Sequence, residues 1–152
     1  MAGRLWLSAM PGRGAAMAQW LAAMQEAGIG HVLCLNGAAE IAQKSPAYAT
    51  LLQSGAAPWQ VHAHPVEDFS VPDDLGAFAA WLGLQAARLR AGETLLLHCG
   101  AGIGRTGMTA LGLLGALGMA PAEAAARVYA AGSHPETEAQ RDAVATLVGA
   151  RT

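Results

Sequence analysis

The residues best equipped for chemistry lie in one run, His98-Cys99-Gly100-Ala101-Gly102-Ile103-Gly104-Arg105-Thr106-Gly107. A thiol and a guanidinium stand at the two ends of a glycine-rich loop. An apolar run, Thr94 to Leu97, precedes it, and a helix-like run from Thr106 to Leu117 follows. Strand, loop and helix in that order aim several backbone N–H groups and a helix N-terminus into one small volume. Such a volume suits an anion, above all a phosphate. A loop wrapped around a tetrahedral dianion sets the Cys99 thiol beneath the phosphorus and lets Arg105 fork onto two oxygens. The same positive field favours the thiolate, the nucleophilic form of cysteine. The chemistry implied is phosphoryl transfer to sulfur.

At these residues the chain resembles the cysteine-dependent protein-tyrosine and dual-specificity phosphatases, whose signature loop separates a Cys from an Arg by five residues. His98 before the cysteine, the Ala101-Gly102 pair, Gly104 and the hydroxyl of Thr106 all match that signature. The resemblance implies a phosphate held by Gly100, Ala101, Gly102, Ile103, Gly104 and Arg105. It also implies a hydrogen bond from Thr106 to the sulfur, although Thr106 is equally placed to cap the helix it opens. His98 reads as a residue that orders the loop rather than one that transfers protons. Gly102 to Gly107 also fits G-x-G-x-x-G, the dinucleotide-binding pattern. That fold needs an acidic residue about 20 positions later, ending a strand. The candidate, Glu123, lies in an alanine-rich helical stretch, and the dinucleotide reading explains neither Cys99 nor Arg105.

A phosphate monoester also needs its leaving oxygen protonated. Asp68 lies in an acidic, proline-bounded loop, Val66 to Asp74, after the alternating strand Trp59 to His64. In open α/β sheets that edge gathers active sites. Pro65 to Pro72 resembles the general-acid loop of dual-specificity phosphatases, which implies Asp68 as the acid. Glu67, Asp73 and Asp74 are rivals, but the last two suit the N-cap of the next helix. Glu136-Thr137-Glu138-Ala139-Gln140 resembles a Glu-Thr-x-x-Gln segment of compact dual-specificity phosphatases. Gln140 would then orient the attacking water or close the pocket; the plainer reading is a polar residue on a helix face. Cys34 sits on the strand His31 to Leu35, expected to run parallel to Thr94–His98. It reads as a redox partner of Cys99 or, more plainly, as a small buried apolar residue.

The 152 residues, 53% hydrophobic and 13% charged with formal charge −2, suit one domain over 1–152 with a real core. They carry no basic excess for nucleic acid. Two cysteines make no disulfide framework, and neither a secretory leader nor an apolar run of membrane-spanning length is read. A reducing, cytoplasmic setting is expected. The histidines are unclustered and no carboxylate pattern marks a metal, so no metal or cofactor is expected. Strands are read at Arg4–Ser8, His31–Leu35, Trp59–His64 and Thr94–His98. Helices are read at Ala15–Ala27, Ala38–Lys44, Ala47–Gln53, from Asp73 or Asp74 to about Ala91, and at Thr106–Leu117, Pro121–Ala131 and Glu136–Leu147. In the first of these helices Met17, Trp20, Leu21 and Met24 form an apolar stripe. This is an α/β fold, a mainly parallel central sheet flanked by helices, with a helical C-terminal part.

The function expected is hydrolysis of phosphate monoesters through a phosphocysteine. Phosphotyrosine in proteins comes first, with phosphoserine, phosphothreonine or a small phosphomonoester beside it. A phosphoinositide phosphatase is the alternative, lowered because the phosphatase-and-tensin homologue carries lysines where this loop has Gly100 and Ile103. A non-catalytic phosphoprotein-binding domain is the alternative from another class; it has no need of a nucleophile. Oligomeric state is not legible.

Overall fold

Four strands share one wholly parallel sheet in the order β1-β4-β2-β3. They are β1 (Arg4–Ser8), β2 (His31–Cys34), β3 (Gln60–Ala63) and β4 (Thr94–His98). The computed structural model describes residues 3–149. Among these, the helices are α1 (Met17–Glu26), α2 (Ala38–Lys44), α3 (Pro46–Ser54), α4 (Leu75–Arg90), α5 (Gly104–Ala116), α6 (Pro121–Ala130) and α7 (Glu138–Gly149). No helix among the described residues is long and apolar enough to cross a membrane.

The central strands are apolar at almost every position because both sheet faces are covered. Alternation sorts their side chains. Leu33, Leu95 and Leu97 point to a core shared with Phe78, Leu82, Leu113 and Leu147 of α4, α5 and α7. Val32, Cys34 and Leu96 point the other way, to Met24, Ile41 and Tyr48 of α1, α2 and α3. Each large aliphatic chain so buried contributes about 1.5–3 kcal/mol. The stripe on α1 behaves as core: Met24 is buried and Met17, Trp20 and Leu21 pack around it.

Several boundaries differ from the sequence reading. The helix after the phosphate loop begins at Gly104, not Thr106, so Arg105 and Thr106 lie in its first turn. The last helix runs from Glu138 to Gly149 rather than from Glu136 to Leu147. Of the two candidate caps, Asp74 does the work: its Oδ1 accepts the Ala77 N–H at 2.9 Å.

The strand order brings the carboxyl ends of β2, β4 and β3 to one edge of the sheet. The loops leaving them carry α2, the phosphate loop and the acidic loop. Two apolar grooves border the edge strand β1, one beside Leu5 and Leu114 and one beside Trp20 and Met24, and neither is lined by Cys99 or Arg105.

Candidate active site

β4 ends at His98, and the chain wraps from Cys99 to Ile103 before α5 begins. Gly102 makes the wrap possible. Its φ is +78°, and a Cβ there would stand 2.5 Å from the Ser8 carbonyl group. Neighbouring segments brace the loop from outside. Met10 donates its N–H to the Gly100 carbonyl at 3.1 Å, and His134 donates to the Ile103 carbonyl at 3.2 Å. The Ser133 hydroxyl donates to the Gly102 carbonyl at 2.6 Å.

Cys99 is buried beneath this loop, and the Thr106 hydroxyl donates to its sulfur at 3.0 Å. The capping role considered for Thr106 falls away, because the helix has already started at Gly104. His98 is fully buried; its pKa is pushed down to about 4, chiefly by burial, with the Arg105 charge adding to the effect. A neutral imidazole has one donor and one acceptor nitrogen, and a carbonyl only accepts. Nδ1–H therefore faces the Cys99 carbonyl at 3.3 Å, and Nε2 accepts the Tyr48 hydroxyl at 2.8 Å. Burial also raises the Tyr48 pKa, which keeps the phenol a donor. His98 thus links Tyr48 of α3 to the first residue of the loop.

Arg105, only 2% exposed, is the most constrained group. Its Nη1 and Nη2 donate end-on to the two oxygens of Glu40, each at 2.8 Å. Nη1 also donates to the Val66 carbonyl at 2.9 Å, and Nη2 lies 3.2 Å from Asp68 Oδ1. Burial works against the guanidinium charge, and the Glu40 hydrogen bonds and charge outweigh it, so its pKa is raised. The same hydrogen bonds hold the Glu40 carboxyl well below the usual carboxylate range. What remains of the guanidinium is the edge formed by Nε and Nη2. Nε is buried and makes no hydrogen bond.

The acidic loop is tied over this edge. Val66 donates its N–H to Leu35, and Ser70 donates to Glu67 at 3.0 Å, closing a turn with Phe69 at its tip. Phe69 has φ +59°, a conformation a bulky residue adopts only when its surroundings hold it there, and it is 60% exposed. Asp68, 49% exposed, faces Arg105 through Oδ1 and Lys44 through Oδ2 at 3.7 Å.

The family described as "Swiss Army Knife protein, DSP-PTPase phosphatase domain" matches residues 8–151. The chain belongs to that family. It is a phosphatase of the protein-tyrosine/dual-specificity type, as the loop signature implied. No curated protein matches it in sequence. Solved structures share its fold. Tk-PTP in its active form has a TM-score of 0.75 at 24% identity, covering 97% of this chain and 92% of that one. Kinase associated phosphatase, with its catalytic site cysteine substituted by serine, has a TM-score of 0.76 at 20% identity, covering 96% and 88%. A cysteine-to-serine variant of P. aeruginosa TpbA in complex with phosphotyrosine has a TM-score of 0.63 at 22% identity, covering 97% and 85%.

In this phosphatase the fold brings His98, Cys99, the loop residues, Arg105, Thr106 and Asp68 together. Two further candidates are Gln140 and Cys34. Gln140 is buried, but its Oε1 accepts the Glu136 N–H at 2.8 Å and its Nε2 donates to the Ser70 carbonyl at 3.0 Å. It fastens the acidic loop to the segment before α7. Cys34 stands in register with His98, not Cys99. It packs in the α1–α3 core while Cys99 packs in the other. Its thiol donates to the Asn36 carbonyl, and burial pushes its pKa up to about 11. The plain reading of Cys34, a small buried residue, is the one the geometry matches.

Glu40, Lys44 and Tyr48 were not singled out in the sequence. The one available signal was the spacing of Glu40 and Lys44, which makes an i,i+4 pair on α2.

Proposed function

We propose that this phosphatase hydrolyses phosphate monoesters in two steps through a phosphocysteine, with phosphotyrosine in proteins as the foremost substrate and phosphoserine and phosphothreonine beside it. The observation that carries the mechanism is the Nε–Nη2 edge of Arg105. Its Nε is buried and unpaired, and its Nη2 lies beside the Asp68 carboxylate and next to Gly100 of the loop that carries Cys99. A phosphate offers two oxygens in matching geometry. The Cys99 thiolate attacks phosphorus, the ester P–O bond breaks, and Asp68 gives its proton to the leaving oxygen. Water then attacks the phosphocysteine, Asp68 takes a proton from it, and the P–S bond breaks as the Thr106 hydroxyl bonds the departing sulfur. Loop N–H groups and Arg105 stabilise the equatorial oxygens in both steps.

Phe69 supports the phosphotyrosine reading. An exposed ring beside the acid offers an aryl ester a surface to pack on, and the TpbA neighbour was solved with phosphotyrosine. A purely binding role is disfavoured, since an anion-binding module needs neither the nucleophile nor the hydroxyl on its sulfur. We place the enzyme, read as one domain over 1–152, in a reducing, cytoplasmic compartment, where both thiols stay free. The test is Cys99→Ser. Turnover should vanish while inorganic phosphate still binds, and appreciable residual hydrolysis would overturn the cysteine mechanism.

A further inference from the structure

Lys44 reaches the mouth of the phosphate loop from α2. Its ammonium and the Nη2 of Arg105 grip the same Glu40 oxygen, at 2.6 and 2.8 Å, so the two cations stand side by side. A Cβ built on Gly100 would lie 3.0 Å from Lys44 Nζ and 3.2 Å from Arg105 Nη2. The ammonium therefore occupies the place that a side chain at position 100 would take. A cation missing from the loop at Gly100 is supplied from outside it.

The ammonium is not fully used there. It has three donors, one spent on Glu40, and Asp68 at 3.7 Å is beyond hydrogen-bond distance. Once Asp68 carries the proton it must donate, Lys44 loses that second carboxylate as a counter-charge. Two of its donors then remain without a hydrogen-bond partner, on a side chain that keeps 28% exposure. A single phosphate bound along the Nε–Nη2 edge of Arg105 uses none of them. A second anionic group close beside the first would.

We infer that the site has a further activity on compact bisphosphates, in which a second phosphate on the adjacent carbon binds Lys44 while Cys99 attacks the first. Neighbouring cations sharing one carboxylate oxygen match two phosphates on adjacent carbons. A carboxylate elsewhere on a phosphorylated peptide has no such fixed short reach. This rests on the phosphomonoesterase reading above and adds a substrate class to it.

The test compares soluble inositol 4-phosphate with inositol 4,5-bisphosphate, and vesicles carrying phosphatidylinositol 4,5-bisphosphate with both, using wild type, Lys44→Gln and Lys44→Arg. The readout is the ratio of kcat/KM for bisphosphate over monophosphate. Loss of one charge-assisted contact should lower this ratio about 10- to 100-fold in Lys44→Gln, and Lys44→Arg should restore most of it. Preference for the vesicle form over the soluble bisphosphate would assign the group to a lipid headgroup; equal rates would assign it to a free polyol. A ratio near one in wild type, or one that Lys44→Gln leaves unchanged, overturns the inference. So does a Lys44-dependent preference for acidic phosphotyrosine peptides over the bisphosphate. Calorimetric binding of both inositol phosphates to Cys99→Ser, with and without Lys44→Gln, asks the same question without turnover. Failure to hydrolyse any monoester therefore tells against the mechanism, and failure to discriminate in binding tells against Lys44.

Discussion

Replacing Glu40 by Gln probes whether Arg105 is held or merely neutralised. The carboxylate makes two 2.8 Å bonds to a guanidinium that is 2% exposed. Gln keeps one acceptor and turns an NH2 toward the other arginine nitrogen, so one charge-assisted bond becomes a donor–donor contact. Removing one partner of a buried ion pair costs about 3–5 kcal/mol. Here Val66 and Asp68 still bond the guanidinium, and Glu40 is partly exposed, which places the effect nearer 2–3 kcal/mol. If the bonds orient Arg105 for the transition state, that loss appears as a fall of roughly 30- to 100-fold in kcat/KM, mostly in kcat. The assay is hydrolysis of phenyl phosphate at pH 7, paired with urea denaturation to separate a folding defect from a catalytic one. The opposite outcome has its own physical logic: an arginine released from a competing carboxylate would grip phosphate harder. A lowered KM with undiminished kcat would show that Glu40 competes with substrate, and the positioning argument would fail.

Asp68→Asn should reduce turnover of a poor leaving group about 10²–10⁴-fold and that of an activated aryl phosphate far less; if only Asp73→Asn or Asp74→Asn shows that contrast, the acid has been misassigned. His98 supplies a pH dependence of stability. Its folded pKa, about 4, lies below the ordinary 6.5, so the unfolded chain takes up a proton first as pH falls. Stability is fully present above 6.5 and declines toward 4, by up to about 1.4 kcal/mol per pH unit. Urea midpoints between pH 7 and 4.5 should fall more steeply for wild type than for His98→Gln, and parallel curves would refute the assignment.

The phosphate loop was legible because its chemistry is contiguous: nucleophile, cradle and arginine occupy one short run, flanked by a strand and a helix that sequence periodicity shows. Asp68 was proposed as the acid because its proline-bounded loop after a strand resembles the general-acid loop of dual-specificity phosphatases. Glu40 was not, because its role depends on a contact between residues 65 positions apart. An i,i+4 pair of Glu and Lys on a short helix looks like any solvated helix surface. Cys34 was placed on the right strand, parallel to β4, but its register with His98 rather than Cys99 was not legible. Side chains alternate along a strand, so one residue of register separates a neighbour from a residue on the far face. The start of α5 was missed because glycine at position 104 looks like loop, whereas here Gly104 forms the first turn of the helix.

The two-sided placement of the cysteines has a kinetic meaning. Cys34 is committed to one core and Cys99 to the other. If an oxidant converts the catalytic sulfur to a sulfenic acid, its own core cluster offers no second thiol to condense with it. Rescue then has to be a bimolecular event with a soluble or protein-borne thiol, its rate proportional to that reductant's concentration. On that packing, the enzyme's working lifetime under oxidative stress would follow the thiol pool around it.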